Sequence, residues 1–462
     1  MRKIIAAALL ALVAIGAFAQ SGGEEAAANP FAFKAGISLG TDVLLTGPDD
    51  LDGNPTGEAW TKLGFQPDLS FGKFGIGIDL TLRFKLYPSP DEAIEVYPGD
   101  WVPDYQDNGR SFFDVYLPKL LYLRYGLKGE DPLYAKLGSI SDLTLGNGFI
   151  MGSYSNMRFM PETRIFGLDL GLDGSLFDFP YVGLELATGN LARFDVLGAR
   201  LFVRPLVGTE IPILKNAQVG LTVVVDRDPY LYLPATATPG YPSAEAMTVY
   251  GADVTVPILG GKLFPLAAFA DLAFEPNSSA GAMLGAGGRI LGVILYGAQL
   301  RFLQDGFIPS YFDGNYDLYR AFKYDYLETS SGGDFFAGWY ASLGTSFLED
   351  KILFLASLDG PFKAIPAVAS DSQADYPHAK AVARLGEGLL GGFFFDASYE
   401  KYMIGSESSF FEDLVDPTDA VIGMAINYKT GASVLTMQYD AKWDAAADKF
   451  IVTSSLQASM QF

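Results

Sequence analysis

Between Phe74 and Leu86 the chain alternates without a break. Phe74, Ile76, Ile78, Leu80, Leu82, Phe84 and Leu86 are large and apolar, while Gly75, Gly77, Asp79, Thr81, Arg83 and Lys85 are small or polar. A period of two marks a β-strand with two chemically different faces. The run is more than twice the ~5–6 residues of an ordinary soluble strand. It is long enough to cross a bilayer at a tilt, which takes about 9–11 residues.

The pattern recurs. Phe166, Leu168, Leu170 and Leu172 alternate with Gly167, Asp169, Gly171 and Asp173; Leu197, Ala199, Leu201 and Val203 with Gly198, Arg200, Phe202 and Arg204. Similar runs lie at 219–226, 250–256, 294–302, 339–347, 422–428 and 450–462. Marking strands this way predicts about twenty: 33–45, 60–71, 73–87, 112–127, 132–138, 163–173, 180–188, 194–205, 217–226, 248–257, 262–275, 280–288, 292–303, 334–347, 351–359, 378–386, 391–403, 419–429, 433–440 and 449–462. The segments 132–138 and 280–288 alternate least well, which leaves a range of 16–20. Pro118, Pro205, Pro257 and Pro265 fall in or beside these segments and predict bulges or strand ends, because proline gives no N–H to a ladder.

One face of these strands is apolar; the other is rich in Gly, small residues and scattered Arg and Asp. A soluble sandwich would carry Lys, Glu and Thr on its outer face, whereas a wet lumen fits this composition. The joins tend to alternate in length: Gly72, Gly260-Gly261 and Thr430-Gly431 are tight, and 88–111, 139–162, 227–247, 304–333, 360–377 and 404–418 are long. The expected fold is all-β: an antiparallel transmembrane β-barrel of about 16–20 strands with short periplasmic turns, long outer loops and both termini periplasmic. The join 206–216 is long on the short-turn side and departs from that rule.

Composition sharpens the picture. The 462 residues include no Cys and one His, so a disulfide scaffold and a Cys-based zinc site are excluded. A hydrophobic content of 49% is too high for a disordered chain. The balance of 32 basic against 54 acidic residues argues against nucleic acid as a partner. Residues 1–19 read as a secretory signal peptide: Arg2 and Lys3 precede an apolar run from Ile4 to Ile15, and Ala17-Phe18-Ala19 forms the cleavage box. A short linker, 20–30, then leads to a barrel domain, 31–462. After the signal no stretch is apolar enough for a membrane-spanning helix, so an exported chain of this kind is either soluble or inserted as a closed barrel.

From residue 31 to 462 this architecture resembles bacterial outer-membrane β-barrel proteins, porin-like in size and loop pattern. The terminal Leu456-x-Ala458-x-Met460-x-Phe462 is similar to the C-terminal signal by which such barrels engage their assembly machinery, although Ala458 and Met460 stand where aromatics are common. The resemblance implies a Gram-negative-type envelope, residence in the outer membrane, and the barrel-assembly machinery and periplasmic chaperones as partners during biogenesis. It also implies passage of small polar solutes by a monomer or a homo-oligomer. In porins the third outer loop folds inward, so 139–162, the third long loop here, is the expected constriction, with Asp142, Arg158 and Glu162 as its charges.

The charges expected to line the pore are Arg83, Lys85, Arg124, Arg200, Arg204, Arg289, Arg301 and Arg384 against Asp79, Asp169, Glu185, Asp253, Asp271, Asp396 and Glu400. Opposed rows would create a transverse field; paired, they would rigidify and fill the interior. Catalysis is not expected. The lone His378 lies near Asp371 and Asp375 in a segment that reads as a solvated loop, and no Ser-adjacent or omptin-like pattern accompanies it. Asp49, Asp50 and Asp52 with Gly53 lack the later bidentate Glu of a calcium loop and read as a solvated turn. Gly146, Gly148 and Gly152 lack the Lys-Ser/Thr of a phosphate loop. The aromatics of 304–333, interleaved with Asp305, Asp313, Asp317 and Asp325, suit a packed lid or a ligand site.

The function that follows is an outer-membrane channel for passive diffusion of small hydrophilic solutes or ions, with no cofactor and no metal. A non-conducting structural or adhesive barrel and a transporter of hydrophobic molecules are the alternatives. The N-terminal segment is too short for the hatch or plug domain of the latter class.

Overall fold

The computed structural model describes residues 31–44, 57–86, 94–103, 109–160, 163–232, 244–261, 263–348, 350–364, 375–418, 420–430, 433–444 and 449–461. The signal segment, the Asp49–Asp52 turn, Glu162, Asp371 and Phe462 lie outside them. Phe31–Leu44 (β1), Glu58–Phe71 (β2), the segments Phe74–Ile78 and Leu80–Leu86 (together β3), Leu120–Tyr125 (β4), Leu133–Gly138 (β5) and Gly167–Asp173 (β6) open the wall. Val182–Thr188 (β7), Val196–Val203 (β8), Gln218–Asp226 (β9), Met247–Leu259 (β10), Leu266–Phe274 (β11), Ala280–Ile290 (β12) and Ile294–Gln304 (β13) continue it. Phe335–Phe347 (β14), Ile352–Pro361 (β15), His378–Leu390 (β16), Phe393–Lys401 (β17), Ala420–Thr430 (β18), Ser433–Asp444 (β19) and Lys449–Gln461 (β20) complete it.

Each strand pairs antiparallel with the next, and β20 returns to β1 with Gly36 opposite Gln461 and Asp42 opposite Ser455. The wall is a closed barrel of 20 strands. Closure pairs the strand edges, so no row of N–H and C=O groups is left open. One short extra strand, Ile94–Val96, adds itself to the upper half of β3.

The alternation becomes two surfaces. In β3 Gly75, Gly77, Asp79, Thr81 and Arg83 are buried, while Phe74 and Leu80 face outward. Leu221 on β9 and Leu343 on β14 are each 64% exposed, which no soluble core would tolerate strand after strand. Leu201, Leu284, Leu300, Phe302, Phe354, Phe393 and Val452 share that outer face.

The joins form two rims. On one, 72–73, 291–293 and 391–392 are tight, and positive φ at Gly72 (55°) and Gly391 (58°) lets the chain reverse at once. Longer joins on this rim are 174–181, with the 3-10 turn Gly174–Phe177, and 204–217, with the short helix Pro212–Lys215. The opposite rim carries the long joins. There 112–119 is not strand, in contrast to the expected strand 112–127. It forms the helix Phe112–Tyr116 and a 3-10 turn, Leu117–Lys119. Ser111 and Asp114 close a capping box, Ser111 Oγ accepting from Asp114 N–H and the Asp114 carboxylate from Ser111 N–H, and this local bond set outweighs the alternation. The prolines behave as expected: Pro257 sits at a register shift in β10, and Pro205 and Pro265 lie just outside strands.

Candidate functional site: a lumen crossed by two inward loops

The join 139–166 turns into the barrel. Leu143 and Tyr154 exchange both backbone hydrogen bonds at 2.9 Å, making a hairpin. Asn156 ties its base, accepting from Ile140 N–H at 2.8 Å and donating to Gly189 O at 2.9 Å. The tip reaches the inner face of β8–β11: Asn147 donates to Asp271 (2.8 Å) and accepts from Thr255 (2.7 Å). Gly146, at φ 59°, lies so close to the wall that a Cβ would stand 2.9 Å from Asp253 Oδ2.

A second join, 305–334, lies against the first. Its segment 310–312 adds a parallel bridge to Phe149–Gly152, with Phe312 N–H donating to Ile150 O and Gly152 N–H to Phe312 O, both at 3.1 Å. It continues into the helix Tyr316–Thr329. Leu143, Phe149, Met151, Phe307, Tyr311 and Phe312 form a dry core with Val196, Val224 and Met283 of the wall. Each such buried side chain contributes about 1.5–3 kcal/mol. Thus the aromatic residues of 304–333 are used mainly for packing.

Polar groups hold the helix in place. Arg320 bridges Asp226 and Asp195 (Nη1 to Asp195 2.7 Å), and Tyr316 donates to Asp226. Lys323 pairs with Asp313 at 2.7 Å. Arg158 Nε donates to Gly314 O (2.6 Å), binding the two loops together. Burial pushes the Asp317 and Glu275 carboxyls up to about 8, so both are protonated at neutrality. Opposing this, the Asp317 carboxylate is favoured by Arg320, and Glu275 by hydrogen bonds from Ser279 and Ile308 N–H.

The interior charges expected from sequence stand on the inner face and most form ion pairs, a few with one another and more with charges that the sequence reading did not name. Arg200 makes a bidentate contact with Asp253 (2.8 and 2.6 Å) and reaches Glu185 at 3.2 Å. Arg301 pairs with Asp359, Arg204 with Asp173, Lys85 with Glu58, Lys128 with Asp169, and Arg384 with Asp396. Arg124 and Arg289 instead donate to the carbonyls of Gly126 and Gly292. Unlike rows are therefore not segregated, and the paired arrangement is the one present. Of the loop charges, Asp142 is exposed and Arg158 is partly buried.

Two cavities flank the hairpin. One, about 340 Å3, opens between the loops and the long-loop half of β12–β17; the other, about 580 Å3, lies toward the short-turn rim against β5–β9. Thr144 lines both. On the wall of the first, His378 is not a solvated loop residue. It opens β16, with Nδ1 3.0 Å from Asp359, Nε2 3.2 Å from Glu400, and its ring stacked on Tyr402. An imidazole satisfies two carboxylates in this way only with both nitrogens protonated. No nitrogen is then left to act as a base, and Asp375 pairs with Lys363 rather than with His378. Lys380 also pairs with Glu400 (3.2 Å), and Tyr402 donates to Glu400.

Sequence reading missed Thr144, Asn147, Arg320 and the His378 partners, because each owes its position to contacts with distant strands. The Gly-rich, apolar character of 139–162 was the one available signal.

No protein-family model matches the chain, and no curated protein matches it. Among solved structures, a BenF-like porin from Pseudomonas fluorescens Pf-5 is similar at 11% identity, covering 94% of this chain and 98% of that one, with a TM-score of 0.37. OccK11 (OpdR) of Pseudomonas aeruginosa is similar at 12% identity over 94% and 96%, TM-score 0.36. Wzi of Escherichia coli, a carbohydrate-binding β-barrel involved in group 1 capsule assembly, is similar at 11% over 93% and 84%, TM-score 0.32. At this identity and superposition none carries a functional conclusion to this chain. Its own wall is a closed antiparallel barrel, apolar outside and charged within.

Proposed function

We propose that this barrel is an outer-membrane channel through which small hydrophilic solutes or ions diffuse passively. The observation that carries the reading is the pair of cavities, one on either side of the inward hairpin, that share Thr144 as a common wall. Solutes enter from the long-loop rim, pass the paired charges Arg301–Asp359 and Lys380–Glu400, and cross the hairpin beside Thr144 and Asn147. Constriction is thus assigned to the hairpin tip, with Arg158 fixing the loops and Asp142 at their margin. Of the wall charges named from sequence, Arg301 and Glu400 border the first cavity and Asp169, Glu185 and Arg204 the second; their close pairing favours weak ion selectivity, because opposite charges a few ångströms apart cancel at a distance.

In this reading the chain is exported by residues 1–19, and the strand ending in Leu456, Ala458, Met460 and Phe462 carries its assembly signal, with chaperones and the barrel-assembly machinery as transient partners. It performs no catalysis and takes no cofactor. The dry core between the loops favours one alternative, a barrel closed by its own loops that serves a structural or adhesive role. Planar-bilayer recording of the refolded chain from Gln20 onward separates the two: stable open steps support the channel, and a folded, inserted barrel without steps supports the closed form.

A further inference from the structure

A smaller pocket, about 70 Å3, lies at the long-loop end of β2 and β3, away from the passage described above. Five cationic side chains line it: Lys62, Arg83, Arg110, Lys119 and Arg164. In a chain with 32 basic and 54 acidic residues, this local balance runs against the whole. Asp79 and Asp100 also line the pocket, and Asp42 lies behind it.

The carboxylates are committed. Asp42 holds Arg83 (2.9 Å) and Lys62 (3.4 Å), Asp100 holds Arg83, and Asp79 holds Arg164 (2.6 Å) while accepting from Thr81 (2.6 Å). Two donors remain. The Lys119 ammonium has no carboxylate within ion-pair distance among the described residues and rests over the Trp101 ring, 4.3 Å from its centroid. The Nε of Arg164 is buried without a hydrogen-bond partner. Arg110 also lines the pocket, its guanidinium donating to Gly99 O at 3.0 Å and Asp114 O at 3.5 Å.

A partly buried ammonium with no carboxylate in contact is costly, and here burial pushes Lys119 down to about 8 in spite of Asp100 and Asp79. A counter-ion from solution would remove that cost. Both donors belong to side chains that line a space of about 70 Å3, room for one tetrahedral group and none for a nucleotide or a sugar. Such a group offers acceptor oxygens to several N–H donors at once.

We propose that this pocket binds a small inorganic oxyanion, phosphate or sulfate, with Lys119 and Arg164 as its donors. The site sits on the inner wall beside the rim segments 97–101 and 109–119, so the bound anion would tie these segments to β2 and β3. It does not depend on the barrel conducting.

Isothermal titration of the full refolded chain in a non-ionic detergent at low ionic strength, with sodium phosphate and sodium sulfate as ligands and sodium chloride as control, tests it. The expected result is saturable binding of one phosphate or one sulfate per chain, with chloride a weak competitor. Lys119→Met and Arg164→Gln should each weaken it at least tenfold, and Lys119→Arg should restore most of it, while heat-modifiable migration shows the barrel intact in each variant. No saturable uptake by the unaltered chain, equal competition by chloride, or unchanged affinity in folded Lys119→Met and Arg164→Gln proteins would overturn the proposal.

Discussion

The guanidinium of Arg320, on a helix inside the barrel, grips the carboxylate of Asp226 at the long-loop end of β9 with two parallel hydrogen bonds, and both side chains are fully buried. The two residues are 94 positions apart, and their contact fixes the inner loop against the wall. Removing one partner of a buried pair leaves the other charge uncompensated, which costs about 3–5 kcal/mol. Arg320→Ala should therefore release the inner helix but not the wall. Hydrogen exchange of 316–329 should rise sharply, while heat-modifiable migration of the barrel stays as it was. Equal protection in the two proteins would show that the pair does not hold the loop.

The packing of that loop should also weaken as pH rises. Asp317 and Glu275, pushed up to about 8 by burial, keep their protons in the folded chain, whereas free carboxyls ionise near 4. Between these values the folded state binds more protons, so their contribution is complete below about pH 4 and is lost as pH passes 8. Around Asp317 stand Arg320, Asp195, Asp226 and Tyr154, and Lys323 faces Glu275. Exchange of 305–334, corrected for intrinsic rates, should accelerate progressively between about pH 5 and 8 and level off above it. Asp317→Asn combined with Glu275→Gln should flatten that dependence.

The hairpin tip offers a steric test. Thr144 borders both cavities, so Thr144→Trp should cut single-channel conductance by more than half without altering assembly. An unchanged conductance would move the narrowest point elsewhere.

His378 makes an electrostatic prediction. Its ring sits between Asp359 and Glu400 as a cation. His378→Phe keeps the stacking on Tyr402 and deletes the charge, so the reversal potential in a salt gradient should shift toward cation preference. A shift toward anions would contradict the protonation assigned to the ring.

The wall was legible because each strand writes its environment into a short segment. From Phe74 to Phe84 large apolar residues alternate with small or polar ones that face the barrel interior, so neighbouring residues are enough to read it. Even the poorly alternating 132–138 and 280–288 lie in strands, β5 and β12. Where the reading failed, the cause was a contact that local pattern does not carry. The Ser111–Asp114 box turned part of one expected strand into helix. The path of 139–166 depends on Asn147 meeting Thr255 and Asp271, more than a hundred residues on. His378 looked solvated because its partners, Asp359 and Glu400, come from the two adjacent strands. Acidic and basic residues could be placed on the inner face from sequence, but which of them pair is set by strand register.

Single-channel recording of the refolded chain from Gln20 onward in a planar bilayer, with a salt gradient across it, addresses the central claim most directly. The account predicts stable open steps with a reversal potential close to zero, since the charges along the route are paired. A correctly folded and inserted barrel that passes no current would contradict it, and the dry core between the two loops would then be the seal of a closed barrel.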